Sequence, residues 1–232
     1  MRILEVIARW LFILCLPLLL LTAAFRIPGN APYMYEYLFN KYDVGITTGL
    51  DSAGLKAAAN GLVHYFNSSE EYIDLVVMKN GQPFQLFNDR EIEHLKDVKA
   101  LFQLDTRVLW GTLAFALAYI AFTLIRNKWS PKELARSAFI GGALTLGLMA
   151  VAGVGMLFNF DSLLLQFHLL SFANDFWLLD PTRDYLIMLI THGFMYDASF
   201  IVAGATALGA LLVGGAGGIY LLYLRGKNQT IA

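Results

Sequence analysis

The chain has 232 residues, of which 57% are hydrophobic and 15% are charged, and its formal net charge is −1. Its mean hydropathy is +0.56. Soluble domains of this length carry more charge and less apolar surface, so the composition excludes an ordinary soluble globular protein and indicates an integral membrane protein.

Four stretches of the sequence lack charged residues, at 10–25, 108–125, 137–160 and 198–224. A transmembrane helix needs ~20 residues to cross about 30 Å of hydrocarbon, which each stretch approaches. The first also has features of a cleavable secretory signal, because Arg2 and Arg9 precede it and small residues end it. We favour an uncleaved anchor, since residues 6–8 extend the stretch to full spanning length. Four spans put both termini on one side.

The orientation follows from the distribution of Lys and Arg, which are enriched in cytoplasmic loops. If both termini are cytoplasmic, the three short cytoplasmic segments contain only two acidic residues, Glu5 and Glu133. They hold eight basic residues: Arg2, Arg9, Arg126, Lys128, Lys132, Arg136, Arg225 and Lys227. We therefore predict a multi-pass protein of a cytoplasmic (plasma) membrane, with both termini cytoplasmic and the functional region on the outer face.

The predicted fold is mainly α: a four-transmembrane-helix bundle with a small α+β extracytoplasmic domain between helices 1 and 2 and an interfacial segment between helices 3 and 4. The predicted segments are transmembrane helix 1 (1–25), the extracytoplasmic domain (26–107), transmembrane helix 2 (108–125), a cytoplasmic loop (126–136), transmembrane helix 3 (137–160), the interfacial segment (161–197), transmembrane helix 4 (198–224) and a cytoplasmic tail (225–232).

Periodicity predicts three elements in the extracytoplasmic domain. Asp51 or Ser52 caps a helix whose apolar positions recur at helical spacing as far as Phe66. A β-rich stretch at 72–78, the turn residues Asn80-Gly81 and a return at 84–87 predict a hairpin. A second amphipathic helix begins at Asn88 or Asp89 and leads directly into the second span.

The remaining features indicate packing and membrane anchoring. The segment 161–197 is rich in Phe, Trp and Tyr, which are common at the lipid headgroup level. Gly214 and Gly218 form a small-xxx-small pair that permits close helix contact. Cys15 is the single cysteine, which excludes an intramolecular disulfide, and we expect it to be a small packing residue.

Several reaction classes are excluded by missing motifs. The sequence has no P-loop, no His-Glu-x-x-His, no Gly-x-Ser-x-Gly and no dinucleotide-binding glycine signature, so we expect no cofactor and no metal. The spans contain no charged residue, which argues against an ion or proton pathway through them.

Four histidines remain as candidates for chemistry: His64, His94, His168 and His192. His94 has Glu91 and Asp97 three residues to either side, close enough on a helix to orient its ring and tune its pKa. His168 lies in an apolar, aromatic segment that also holds Asn174 and Asp175. Spacing alone leaves a structural role open for every one of these histidines.

Two motifs, EIEHLKDVKALF (91–102) and FHLLSFANDFWLLDPTRDYLI (167–187), make the chain resemble the bacterial lipoprotein intramolecular transacylase family, Lit. The resemblance covers essentially the whole chain. It implies transfer of the sn-2 acyl chain of a diacylglyceryl-cysteine lipoprotein onto the α-amino group of that cysteine, giving a lyso-form lipoprotein. It also implies that the two essential histidines are His94 and His168.

The residues suit such a reaction. An α-amino group of pKa near 7.7 to 8.0 needs only a mild base, and an intramolecular amine makes an acyl-enzyme unnecessary. We expect His94 to act as general base and then acid, oriented by Glu91 or Asp97, and His168 to stabilise the oxyanion, although the two roles are exchangeable. Asn174 and Asp175 are further orienting or substrate-contacting candidates.

The expected partners are diacylated lipoproteins and membrane lipid, with no nucleic acid, and the oligomeric state is left open. A metal-dependent lipid hydrolase using His94, His168 and Asp175 is one alternative, and chelator sensitivity would distinguish it. A membrane binding or sensory protein that recognises an envelope lipid or peptide is another, and it predicts that alanine at either histidine affects stability alone. A transporter fits poorly with four uncharged spans.

Overall fold

The structure, a computed structural model, describes residues 2–126 and 131–230. Three parts of the predicted segments lie outside the described residues: residue 1 of transmembrane helix 1, residues 127–130 of the cytoplasmic loop, which include Lys128, and residues 231–232 of the cytoplasmic tail. The elements in chain order are α1 (Arg2–Gly29), α2 (Pro32–Lys41), α3 (Val44–Thr48), α4 (Ser52–Asn67), β1 (Val76–Lys79), β2 (Gln82–Gln85), α5 (Asp89–Arg126), α6 (Lys132–Ser171), α7 (Tyr185–Leu189) and α8 (His192–Thr230).

Helices α1, α5, α6 and α8 are each long and apolar enough to cross a membrane, which confirms the prediction of a mainly α protein with four spanning helices. Helix α5 has 38 residues and is therefore about 57 Å long, well beyond the hydrocarbon thickness. Its residues 108–125 carry no charge, whereas 89–107 carry nine charged side chains. His94 therefore lies in the polar part of the helix, outside the apolar span.

Helix α6 is interrupted at Asn159, whose backbone angles (φ −157°, ψ 63°) are not helical. Its side-chain Oδ1 accepts a hydrogen bond from Ser162 N at 3.3 Å, as an N-cap residue does at the start of a helix. The interruption lies at the end of the predicted third span. Residues 160–171 thus form a separate helical piece, and His168 belongs to it.

The chain divides into two compact units. The first comprises Met1–Phe25, Thr106–Gly155 and Phe200–Ala232, and the second comprises Arg26–Asp105 and Met156–Ser199. Both histidines of the two motifs, His94 and His168, are in the second unit.

In the first unit, helices α6 and α8 approach closely through glycines. A Cβ atom on Gly142 would lie 2.7 Å from Gly214 Cα, so only glycine permits this contact. The two acidic residues predicted on the cytoplasmic side form ion pairs with basic neighbours. Glu5 lies 3.1 Å from Arg126, and Glu133 lies 3.6 Å from Arg9.

In the second unit, the predicted helix and hairpin are both present. Asp51 caps α4 by accepting a hydrogen bond from Gly54 N at 2.8 Å. The apolar face of α4 is buried, including Leu55, Ala58 and Leu62. Strands β1 and β2 pair antiparallel around Asn80-Gly81, both of which have positive φ as a two-residue hairpin turn requires. The strands begin and end a few residues from the predicted bounds.

The start of α8 packs against the residue that follows α2. A Cβ atom on Gly193 would lie 2.2 Å from the Tyr42 ring, whose hydroxyl donates a hydrogen bond to Asp197 at 2.8 Å. We expect Gly193→Ala to destabilise the protein by about 1 to 3 kcal/mol, because the ring must move and lose that hydrogen bond. Thermal unfolding in detergent measures this.

Gly204→Ala is the matched control, because the same helix leaves open space around that position. Alanine there gains helix propensity and costs nothing in packing, so its midpoint should be unchanged or higher. Equal losses for the two variants would show that contact with Tyr42 is unimportant.

Candidate active site

The two motif histidines meet in the second unit. His94 comes from the polar part of α5 and His168 from the last helical piece of α6. Their ring centroids are 6.2 Å apart and the ring planes differ by 29°. One small substrate group can therefore contact both imidazoles.

Aromatic rings enclose this pair. The Phe172 ring is 5.0 Å from His94 and 5.7 Å from His168, and the Trp177 ring is 5.0 Å from His168. The sequence predicts that the aromatics near His168 anchor the segment in the membrane interface. In the structure these aromatic residues differ in exposure, because Phe172 is buried against the histidines whereas Phe167 is 47% exposed.

His94 is held in its neutral form. It is 7% exposed, and its Nδ1 is buried with no hydrogen-bond partner in the described part of the chain. Burial lowers the pKa of His94 to about 4, helped by the charge of His168 and opposed by Asp97. At neutral pH this imidazole is an uncharged hydrogen-bonding group.

The tautomer of His168 is fixed by its own helix. Its Nδ1 lies 2.8 Å from the carbonyl oxygen of Leu164, one turn earlier. A carbonyl oxygen only accepts hydrogen bonds, so Nδ1 carries the proton and the lone pair of the neutral ring is on Nε2. His168 therefore has the form of a base that accepts a proton at Nε2.

Glu91 connects α5 to α7. It is 1% exposed, its Oε1 accepts from Leu186 N at 2.6 Å, and its Oε2 accepts from Asn88 N at 2.8 Å. Burial is the main cause of a raised pKa for Glu91, and these two backbone donors oppose the shift. Sequence spacing presents Glu91 as a partner that orients His94. In the structure both of its oxygens are bound by backbone amides.

The loop between α6 and α7 is tied to α5 by two hydrogen bonds. Asn174 Nδ2 donates to Asp97 Oδ2 at 2.8 Å, which joins the two sequence motifs directly. Arg90 donates from its guanidinium to the backbone carbonyl of Asp175, whose side chain is on the exposed surface. These bonds hold the loop, and with it Trp177, beside the histidines.

The other two histidines lie elsewhere in the second unit. His192 contacts Asp161 and packs edge-on against Phe160, with ring centroids 5.2 Å apart. His64 is exposed on α4, 3.9 Å from Glu70. Over 2–126 and 131–230, no three His, Cys, Asp or Glu side chains group as metal ligands would.

Three residues that help to position the site were not predicted from the sequence: Leu164, Arg90 and Asp184. The role of Leu164 is a backbone contact and leaves no sequence signal. Asp184 is 1% exposed and accepts hydrogen bonds from Asn88 Nδ2 and Asp180 N. Asp184 directly precedes the apolar run 185–190. A carboxylate that is buried beside such a run needs hydrogen-bond partners, so its position in the sequence was a usable signal for a structural role.

We expect Glu91→Ala to destabilise the protein by about 2 to 4 kcal/mol, because it leaves the buried amides of Asn88 and Leu186 without acceptors. Thermal unfolding in detergent is the measurement. Glu93→Ala, two residues along the same helix and only half-buried, is the control and should cost less than about 1 kcal/mol. If Glu91→Ala were as stable as that control, the hydrogen bonds of Glu91 to the Asn88 and Leu186 amides could not be important for stability.

The fold and the site together define a multi-pass membrane protein whose second unit contains a pair of imidazoles enclosed by aromatic rings. The family model for the lipoprotein intramolecular transacylase Lit matches residues 10–195, and the chain belongs to that family. It is therefore an acyltransferase of a family that acts on lipoproteins.

Solved structures show the same fold. The membrane-integral lipoprotein intramolecular transacylase Lit from Bacillus cereus matches with a TM-score of 0.80 at 16% identity, covering 100% of both chains. A variant of that protein with one histidine replaced by arginine matches at 0.76 and 16% identity, covering 97% of this chain and 95% of that one. The corresponding alanine variant matches with a TM-score of 0.75 at 16% identity, covering 99% of this chain and 96% of that one. No curated protein matched the sequence.

Proposed function

We propose that this chain transfers the sn-2 acyl group of a diacylglyceryl-cysteine lipoprotein to the α-amino nitrogen of the same cysteine. The observation that carries the proposal is the pair of imidazoles 6.2 Å apart inside an aromatic enclosure. The new bond joins the amine nitrogen to the acyl carbon, and the bond that breaks joins that carbon to the glycerol oxygen. The product is a lyso-form lipoprotein with an N-acylated cysteine.

His168 is the general base in this proposal. Its Nδ1–H is bound to the Leu164 carbonyl, so Nε2 is the atom that removes the proton from the attacking amine. The resulting imidazolium returns the proton to the glycerol oxygen as it leaves. Proton transfer by a positioned group of this kind contributes roughly 100- to 10,000-fold to the rate.

His94 stabilises the oxyanion of the tetrahedral intermediate. Its pKa of about 4 makes it a weak base, whereas a neutral N–H group is an effective donor to a developing negative charge. Nδ1 is enclosed by protein, so the donor is Nε2. This assignment is the reverse of the one favoured by sequence spacing, and it is supported by the burial of His94 and the fixed tautomer of His168.

The substrate supplies both reacting groups, so the protein mainly has to bring them together. Favourable intramolecular geometry is worth roughly 7 to 11 kcal/mol of the barrier. No enzyme nucleophile is needed between the ester and the amine. Two histidines are therefore sufficient for the proton transfer and the oxyanion stabilisation, and no cofactor takes part in the proposed reaction.

We place the histidines on the outer face of the membrane and both termini in the cytoplasm, with the segment boundaries predicted above. The support is the concentration of Lys and Arg at the helix ends of the first unit. A fluorescent protein that matures only in the cytoplasm should be bright when fused after residue 232 and dark when inserted at the Asn80-Gly81 turn. Fluorescence from the turn insertion would overturn the orientation.

The direct test of function is mass spectrometry of the N-terminal lipopeptide of a diacylated lipoprotein after incubation with the purified protein in detergent. The transfer leaves the intact mass unchanged, so fragmentation must locate the acyl chain. Appearance of the chain on the cysteine nitrogen supports the proposal. If the chain stays on glycerol with folded protein, a binding or sensory role becomes the better description.

A further inference from the structure

A second feature of the polar unit is an open cavity of about 360 Å³ lined by Asn88, Arg90, Arg183 and Asp184. The first two residues lie at the start of α5, and the last two come from the segment just before α7. None of the four is a histidine, and none acts in the transfer step described above. The cavity is therefore a separate feature beside the imidazole pair.

The cavity is rich in hydrogen-bond donors. Asp184 is fully engaged, because Oδ1 accepts from Asn88 Nδ2 at 2.9 Å and Oδ2 accepts from Asp180 N at 2.7 Å. Arg183 is 3.5 Å from Asp184 and 3.8 Å from Asp180, yet its side chain remains 69% exposed. Arg90 Nε is buried and has no hydrogen-bond partner within the described residues.

The lining has two guanidinium groups and one carboxylate, and the carboxylate of Asp180 lies 3.8 Å from Arg183. Each guanidinium has five N–H donors and no acceptor, and only part of that capacity is used here. Such a lining is complementary to carbonyl and carboxylate oxygens. It is poorly complementary to an ammonium group.

The position of the cavity relates it to the lipidated cysteine. Arg90 precedes His94 by one helical turn on the same face of α5, about 6 Å along the axis and away from the apolar residues 108–125. Acyl chains extend toward the apolar part of the helix, so the polypeptide must leave the cysteine in the opposite direction. Two extended residues span about 7 Å, which brings the third residue of the lipoprotein, two positions after the cysteine, to the cavity.

We infer that this cavity binds the peptide segment that follows the lipidated cysteine and favours an acidic side chain at the third residue of the lipoprotein. The inference rests on the proposed function, because it takes the cysteine to be held at His94 and His168. Arg183 supplies the exposed charge that discriminates between peptides. Arg90 has a second task in holding the Asp175 carbonyl, so Arg183 is the residue to vary.

The test compares two synthetic diacylglyceryl-cysteinyl peptides that differ only in Asp or Lys at the third residue. Transfer is followed by fragmentation mass spectrometry with wild-type protein and with Arg183→Glu and Arg183→Gln. We expect wild type to show a KM about fivefold lower for the Asp peptide. Arg183→Gln should remove that preference and Arg183→Glu should reverse it, while kcat changes less than twofold.

Lys56→Glu is the matched control, since it makes the same charge reversal on the exposed face of α4 and does not line the cavity. It should keep the wild-type preference. If wild type transfers both peptides with equal KM, or if Lys56→Glu changes the preference as Arg183→Glu does, the peptide site is wrong and the transacylase function stands. If wild type transfers neither peptide, the proposed function itself fails.

Discussion

Replacing His168 with glutamine is expected to lower kcat for acyl transfer by about 100- to 10,000-fold. Glutamine has nearly the same reach and still forms hydrogen bonds, but it cannot take up a proton from the substrate amine. KM should change little, because the diacylglyceryl group binds through its apolar chains. The measurement is the initial rate at which N-acylated cysteine appears, over a range of lipopeptide concentrations.

His64→Gln is the matched control, because it makes the same substitution at an exposed histidine of the same unit. It should retain the wild-type rate. If His168→Gln also retained the wild-type rate, His168 could not be the general base.

Replacing His94 with leucine is expected to lower kcat by about 100- to 1000-fold, which is the typical cost of losing one oxyanion donor. Leucine is apolar and suits a site that is 7% exposed, so the fold should persist. His94→Gln restores an N–H donor near the position of Nε2, and we expect it to recover most of the lost rate. Both variants are measured in the same lipopeptide assay.

The two glutamine variants together decide the roles of the histidines. Rescue by glutamine at position 94 with none at position 168 is the pattern expected here. The opposite pattern would restore the assignment suggested by sequence spacing, with His94 as base and His168 as oxyanion donor.

His94 also has a signature in the pH dependence of stability. Its pKa in the folded protein is about 4, below the ordinary value near 6.5, so folding favours the neutral ring. The corresponding stability is fully present above about pH 6.5. As the pH falls toward 4, the unfolded chain takes up a proton that the folded protein does not, and up to about 3 kcal/mol is lost. The unfolding midpoint of His94→Gln should fall less over this range than that of wild type.

The membrane-spanning helices were predictable because each is a long charge-free stretch, and such a stretch is stable only in hydrocarbon. The hairpin was predictable because Asn80-Gly81 supplies the two positive φ angles that its turn requires. The third charge-free stretch ends at 160, close to the interruption at Asn159, but composition did not predict that a second helical piece begins immediately after it.

The two candidate histidines were selected through their motifs, because four histidines in one chain do not identify a pair. The distance between their rings required a structure, because the two residues are 74 positions apart in the sequence. The interpretation of Glu91 illustrates the limit of local spacing. Residues three apart on a helix are neighbours, but the tertiary partners Leu186 and Asn88 bind both oxygens of this carboxylate.

The bond from His168 to the Leu164 carbonyl has a consequence for catalysis when it is compared with the Ser-His-Asp arrangement. There, a carboxylate orients the imidazole and also stabilises its positive charge, which suits a base strong enough to activate a serine hydroxyl. Here a neutral peptide carbonyl orients the ring and adds no negative charge. In the proposed reaction the imidazolium forms with no carboxylate beside it and passes its proton to the departing glycerol oxygen, and the attacking group is an amine, which needs less activation than an alcohol or water. We therefore expect this arrangement to favour transfer to nitrogen over hydrolysis.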